Sequence, residues 1–183
     1  ELAKKSGCIG WTIGFESILQ KSLNSVNKPE NIVKKYANWI KNIKKYSMVI
    51  NGLFMFGFET DTPDVFEKTI EALNQLDIDA GEFNILTPLP GTPLYNNMEK
   101  ERRILTKDWS KYTQTEVVLQ PKNMTPKELL DGTKKVVREF YRNKNMLNRL
   151  IKLFKLKISP SSISHTFFLN IAQKRWYKRE FGI

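Results

Sequence analysis

Five residues join a ligand-accepting chemistry to a place within or just past an apolar strand: Glu16, Ser17, Gly52, Gly57 and Asn84. Glu16-Ser17 follows the apolar run Ile9–Phe15. A carboxylate there accepts hydrogen bonds from an amine or a sugar hydroxyl, and the serine both donates and accepts. The competing role for Glu16 is to cap the next helix. Gly52 and Gly57 punctuate a second apolar run, where a missing side chain lets a ligand or another backbone approach. Close strand–helix packing explains them equally well. Asn84 lies between Phe83 and Ile85 and points away from both. A buried amide needs partners, which a ligand or the backbone can supply. Glu59, Thr60 and Asp61 read as turn and cap residues, not catalysts.

Other chemistries lack their residues. The chain has one cysteine, Cys8, and one histidine, His165. One cysteine excludes an internal disulfide, no zinc ligand set or Ser/His/Asp set is present, and His165 sits in the basic tail. There is no phosphate-binding glycine loop. The Pro88–Pro93 loop offers shape and carbonyl oxygens but no nucleophile or base.

Alternating strands and helices must hold the candidate residues. Residues 1–7 read as a helix end stopped at Gly7, and Ile9–Phe15 as a short strand. Pro29–Tyr46 carries Ile32, Tyr36, Trp39, Ile40 and Ile43 at helical spacing. Met48–Phe58 is nearly continuously apolar, as for a strand covered on both faces of a parallel sheet. Thr62-Pro63 predicts a helix start with Thr62 as N-cap. Phe83–Leu86 is a third strand, Leu94–Lys100 a short helix and Glu116–Leu119 an edge strand. Thr125-Pro126-Lys127-Glu128 has the spacing of a capping box. The helix behind it is expected to reach about Leu156, with a break near Asn143–Asn148. Ile158–Ser162 reads as a linker, and a last helix as running from about Ser161 to Phe181.

Charge divides the chain. Acidic and basic residues balance over 1–132, and the whole formal net charge of +11 lies in 133–183, where the carboxylates are Glu139 and Glu180. Lys134, Lys135, Arg138, Arg142, Lys144, Arg149, Lys152, Lys155 and Lys157 interleave with Phe140, Leu150, Leu153 and Phe154. Such a pattern suits an anionic membrane surface or RNA, or a solvated helix packed on the body. The expected organisation is an α/β body over 1–122 and a helical, basic extension over 123–183. One cysteine and the lack of an apolar leader suit a cytoplasmic protein, held at most peripherally at a membrane.

Three strand ends resemble those of the radical S-adenosylmethionine (SAM) superfamily. Gly10-Trp-Thr-Ile-Gly14-Phe15-Glu16-Ser17 resembles the fourth strand of that barrel. Gly52–Thr62 resembles the fifth strand and its turn, and Phe83–Tyr95 the sixth strand and its Pro-Gly-Thr-Pro loop. Asp108-Trp109 and Met124-Thr-Pro-Lys-Glu-Leu resemble the subgroup with an upstream cobalamin-binding domain. The family's Cys-x3-Cys-x2-Cys motif is absent from these residues, and Cys8 does not replace it.

The resemblance implies a partial (β/α) TIM-like barrel, of which this chain holds the last three βα units. It implies that Glu16 and Ser17 face SAM and that the strand with Gly52 and Gly57 supports the adenine. The [4Fe–4S] cluster would take its ligands outside this chain, and cobalamin would sit in an upstream domain. The implied partner is the missing N-terminal half of the barrel, with a small-molecule or lipid-like substrate. The implied function is that of a C-terminal fragment contributing to 5′-deoxyadenosyl radical chemistry, inactive alone. The alternative is a non-enzymatic binding module whose basic arm meets an anionic partner. A half barrel with open strand edges is also expected to associate.

Overall fold

In the computed structural model, residues 1–26, 28–156 and 158–183 are described. Lys157, part of the basic pattern, lies outside them. The order is α1 (Leu2–Lys5), β1 (Gly10–Glu16), α2 (Gln20–Ser25), α3 (Tyr36–Lys44), β2 (Val49–Phe56), α4 (Val65–Gln75), β3 (Ala80–Ile85), α5 (Pro93–Lys100), α6 (Pro126–Phe140), α7 (Asn143–Lys155) and α8 (Pro160–Phe181). The strands form one parallel sheet in the order β1-β2-β3. Each strand-to-strand crossover carries helices, as parallel pairing requires.

Period-two alternation sorts the sheet's faces. Ile50, Phe54 and Phe56 of β2 are buried, while Asn51, Leu53 and Met55 between them are half-buried. The buried face packs under the helices. Phe15, Phe54 and Phe83 form a row across the three strands, with ring centroids 5.7 and 5.8 Å apart. One layer below, Gly52 and Gly81 are paired, and a Cβ on either would crowd those rings. Tyr36 and Phe140 close the row from the helix side.

α6 begins with the capping box that its sequence predicts, Thr125 and Glu128 bonding each other's backbone. It lies against α4, where Gly132 lets the Phe66 ring touch its backbone. α8 runs past the start of the sheet to the outer edge of β3, the one not paired with β2.

Several elements differ from the sequence reading. The helix predicted from Pro29 begins at a 3-10 turn, Val33–Lys35, because Asn31 is tied to β1 and Gln20 binds both Asn31 and Val33. The helix over Gln20–Ser25 is too short to show periodicity. Thr62 is not an N-cap: Asp64 holds that position, and the Thr62 hydroxyl donates to its carboxylate. Glu116–Leu119 forms no strand, only an isolated antiparallel bridge from Leu119 to Ile104. The break after α6 falls at Tyr141–Arg142, earlier than expected. Among the described residues no helix is long and apolar enough to cross a membrane.

Candidate functional site

Glu16 is the residue the fold treats most unusually. The β1–β2 register shifts between Gly14 and Glu16, the mark of a bulge, and Glu16 has a left-handed backbone with φ 61°. Bulges re-aim side chains, and a non-glycine residue at positive φ carries local strain. Here the carboxylate folds back over Gly14, where a Cβ would lie 2.6 Å from Oε1. Lys28 donates to the same oxygen at 2.6 Å. The Asn31 amide bonds the Gly14 and Phe15 carbonyls, which fixes the bulge from outside.

Ser17 is buried, and its hydroxyl accepts the Leu19 N–H at 3.1 Å, leaving its own proton to donate. Tyr36 donates to the Phe15 carbonyl at 2.8 Å and lies 3.2 Å from that of Ser17. Burial and the nearby Glu16 charge raise the Tyr36 pKa far above its usual value, so it stays a donor.

Gly57, the residue after β2, has φ 101°. Its N–H and that of Phe58 both donate to one carboxylate oxygen of Asp61, at 3.0 and 3.1 Å. The other oxygen accepts from Ser22 at 2.6 Å. Asp61 is fully buried, and burial raises its pKa against these bonds. It is the organiser of the β2–α4 turn, in keeping with the turn role read for Glu59–Asp61.

Gly52 lies on the covered face against Phe15, Phe54 and Ile78, opposite the face that carries Asn84. Asn84 is half-buried and sits beside Met55 in register. Toward the start of the strands the same face carries Asn51, which donates to Glu82 at 2.8 Å, and Gln173 of α8 donates to that carboxylate oxygen at 3.2 Å. The Asn51 carbonyl oxygen is buried without a partner among the described residues.

Glu16 and Asn84 thus share the half-buried face, Ser17 and Gly57 border it at the strand ends, and Gly52 backs it. The face offers one fixed carboxylate, amides and apolar side chains. That set suits a ligand with amine, hydroxyl or heterocyclic donors. Among the described residues no three His, Cys, Asp or Glu side chains could hold a metal ion, so a metal cluster does not fit this chain's own donors.

Sequence reasoning places Gly14 in the strand-end motif but gives it no role: the glycine two residues back makes room for the carboxylate. Asn51 and Glu82 are polar interruptions in apolar strands, a signal of the same kind as Asn84. No local pattern marks Lys28.

Comparison with known proteins bears on these strand ends. A family model described as a domain of unknown function (DUF4070) matches residues 92–175. The bacteriochlorophyllide d C-12(1)-methyltransferase of Chlorobaculum tepidum is 35% identical over 179 residues, 98% of this chain and 37% of that protein. An uncharacterized methyltransferase of Pyrococcus horikoshii is 31% identical over 141 residues, 75% of this chain and 30% of that protein. The anaerobic magnesium-protoporphyrin IX monomethyl ester cyclase of Cereibacter sphaeroides is 27% identical over 145 residues, 79% of this chain and 23% of that protein. The chain therefore spans well under half the length of these relatives. Three strand-end motifs in order on one parallel sheet, together with these matches, show that the chain belongs to the radical SAM superfamily.

Proposed function

We propose that this chain supplies the last three βα units of a partial (β/α) barrel in a radical SAM enzyme, with its half-buried sheet face turned to SAM and substrate. The observation that carries the reading is the bulge that turns Glu16 back over Gly14 at the carboxyl end of β1. Ligands of α/β proteins gather at such strand ends.

SAM, when bound, supplies the 5′-deoxyadenosyl group for the family's radical chemistry. Glu16, held by Lys28, accepts from its amine or ribose hydroxyls. Ser17 donates its remaining proton. The bend at Gly57 sets the height of the β2 end, and Asn84 presents donor and acceptor to the ligand's polar edge. Gly52 lets the phenylalanine row pack tightly behind them. The [4Fe–4S] ligands lie outside this chain in this reading.

Methyltransferases among the relatives support a methyl-transferring whole protein, and the resemblance at Asp108-Trp109 and Met124–Leu129 supports a cobalamin domain upstream. The substrate would be a small or lipid-like molecule. The missing half of the barrel would add at β1, because the outer edge of β3 is occupied by Tyr141, Tyr177 and Gln114. The division at 122/123 into body and helical extension belongs to the same reading.

A second reading is a non-enzymatic α/β module whose extension meets an anionic membrane surface or RNA. Lys174, Arg175 and Lys178, which have no carboxylate within salt-bridge distance among the described residues, favour it.

The coding DNA upstream of Glu1 separates the two. The first reading expects an in-frame Cys-x3-Cys-x2-Cys, and SAM binding by the whole polypeptide that Glu16→Gln weakens about tenfold. A start codon with no such motif, or SAM binding indifferent to Glu16, would overturn it.

A further inference from the structure

The surface between α7 and α8 has no part in the site above. A cavity of about 460 Å³ opens between these helices, beside Asp79 at the start of β3 and so at the opposite end of that strand from Asn84. Its volume lies in the range of small-molecule sites. Leu150, Leu153 and Ile171 line it, and Leu147 and Phe167 stand half-exposed around it.

Its polar lining is mostly of one sign. Lys174, Arg175 and Lys178 follow one another along α8 at the cavity, with no carboxylate within salt-bridge distance among the described residues. Arg149 adds a buried guanidinium, stacked 3.8 Å from the Phe140 ring centroid. It donates to the Phe140 carbonyl and to Asn170, while its Nε is buried without a partner. The one carboxylate of the lining, Asp79, is engaged by Lys44 and the Ile50 N–H. An apolar cleft rimmed by cations without carboxylate partners among the described residues suits an occupant that is apolar in its body and anionic at one end.

We propose that the α7–α8 cleft binds a single-chain amphiphile with a carboxylate or phosphate head, its chain among Leu150, Leu153 and Ile171 and its head on Lys174, Arg175 and Lys178. The head pairs with Arg175 and Lys178 and with Lys174, whose ammonium otherwise donates only to the Asn143 amide oxygen, 2.6 Å away, and the chain covers apolar surface that helix packing leaves open. This site stands or falls independently of the SAM reading.

Calorimetric titration of the chain with dodecanoate, dodecanol and dodecyltrimethylammonium, each below its micelle concentration, tests it. Dodecanoate is expected to bind at least about tenfold tighter than dodecanol, and the cation to give no signal. The double variant Lys174→Glu/Lys178→Glu should remove that preference. Leu150→Trp should fill the cleft and abolish binding, with circular dichroism confirming that each variant is folded. Three amphiphiles binding alike, or dodecanoate binding that survives both variants, would overturn the proposal. So would a signal seen only with phosphatidylglycerol vesicles or RNA, which would make this a surface contact and not a cleft.

Discussion

The Tyr177 hydroxyl accepts the Phe83 N–H at 2.6 Å and lies 3.3 Å from the Phe83 carbonyl, joining positions 94 residues apart. Tyr141 does the same two residues earlier, 2.5 Å from the Gly81 carbonyl and accepting the Gly81 N–H at 3.4 Å. The Gln114 carbonyl takes the Ile85 N–H. Side chains and a loop thus occupy the hydrogen-bonding positions of a fourth strand, and the sheet is sealed on this side. Burial pushes both tyrosine pKa values far above the usual range, so the hydroxyls stay protonated donors.

Tyr177→Phe keeps the ring stacked on Phe181 and removes only the oxygen. A buried N–H is then left unpaired, at a cost of about 1–3 kcal/mol. Chemical denaturation should show that loss, and hydrogen exchange should speed up at Phe83 more than at residues of β1.

Among the described residues none seals the β1 edge in this way along Trp11–Ile13, and Trp11 stands half-exposed beside it. Exposed strand edges recruit other chains, and lysine at an edge suppresses this. The isolated chain is expected to associate in sedimentation velocity runs, and Trp11→Lys to shift it toward monomer with little change in melting temperature.

Gly14 and Glu16 make a paired test of the candidate site. Gly14→Ala places a methyl where the Glu16 carboxylate lies. In the whole polypeptide it should weaken SAM binding in the same direction as Glu16→Gln, about tenfold. Equilibrium dialysis with SAM measures both. Binding unaffected by Gly14→Ala would remove the orientation argument.

Asp61 gives the turn a pH dependence. Its folded pKa is raised by burial, so the native state binds more protons than the unfolded chain. Its contribution to stability is full below the unfolded value of about 4 and declines as pH rises through the raised folded value. Asp61→Asn should flatten that decline in melting temperature against pH. Asp61→Ala should instead lose about 2–4 kcal/mol across the range, because two turn N–H groups and the Ser22 hydroxyl lose their acceptor.

The α4–α6 contact depends on one missing methyl. A Cβ on Gly132 would lie 2.1 Å from a ring carbon of Phe66, which is buried. Gly132→Ala is expected to cost about 1–3 kcal/mol despite alanine's better helix propensity. Adding Phe66→Leu should recover part of that loss in denaturant midpoint.

The parallel α/β character was written in the residues themselves. The apolar runs near Ile9, Met48 and Phe83 fall on the three strands, and the helical stripe of Tyr36, Trp39, Ile40 and Ile43 sits where periodicity puts it. The capping box at Thr125–Glu128 was legible because its bonds are local, closing within three residues. The Gly-x-Glu-Ser, Gly-Phe-Glu-Thr-Asp and Pro-Gly-Thr-Pro strand ends carried the family for a similar reason: each is a short, contiguous turn.

Tertiary structure decided what joins distant segments. Which glycine serves the core and which the site depends on the face it occupies, and Gly52 and Gly14 look alike in sequence. The left-handed backbone at Glu16 follows from a bulge that Asn31 and Tyr36 hold from another element. The sealing of β3 needs Tyr141 and Tyr177 delivered from two helices, and the cationic cleft needs α7 laid against α8. Hydrophobic pattern and turn chemistry act within a few residues and are read directly. Hydroxyl-to-strand bonds, shared cavities and the pairing of Lys28 with Glu16 arise only when the chain has folded, because no local interaction encodes who the partner will be.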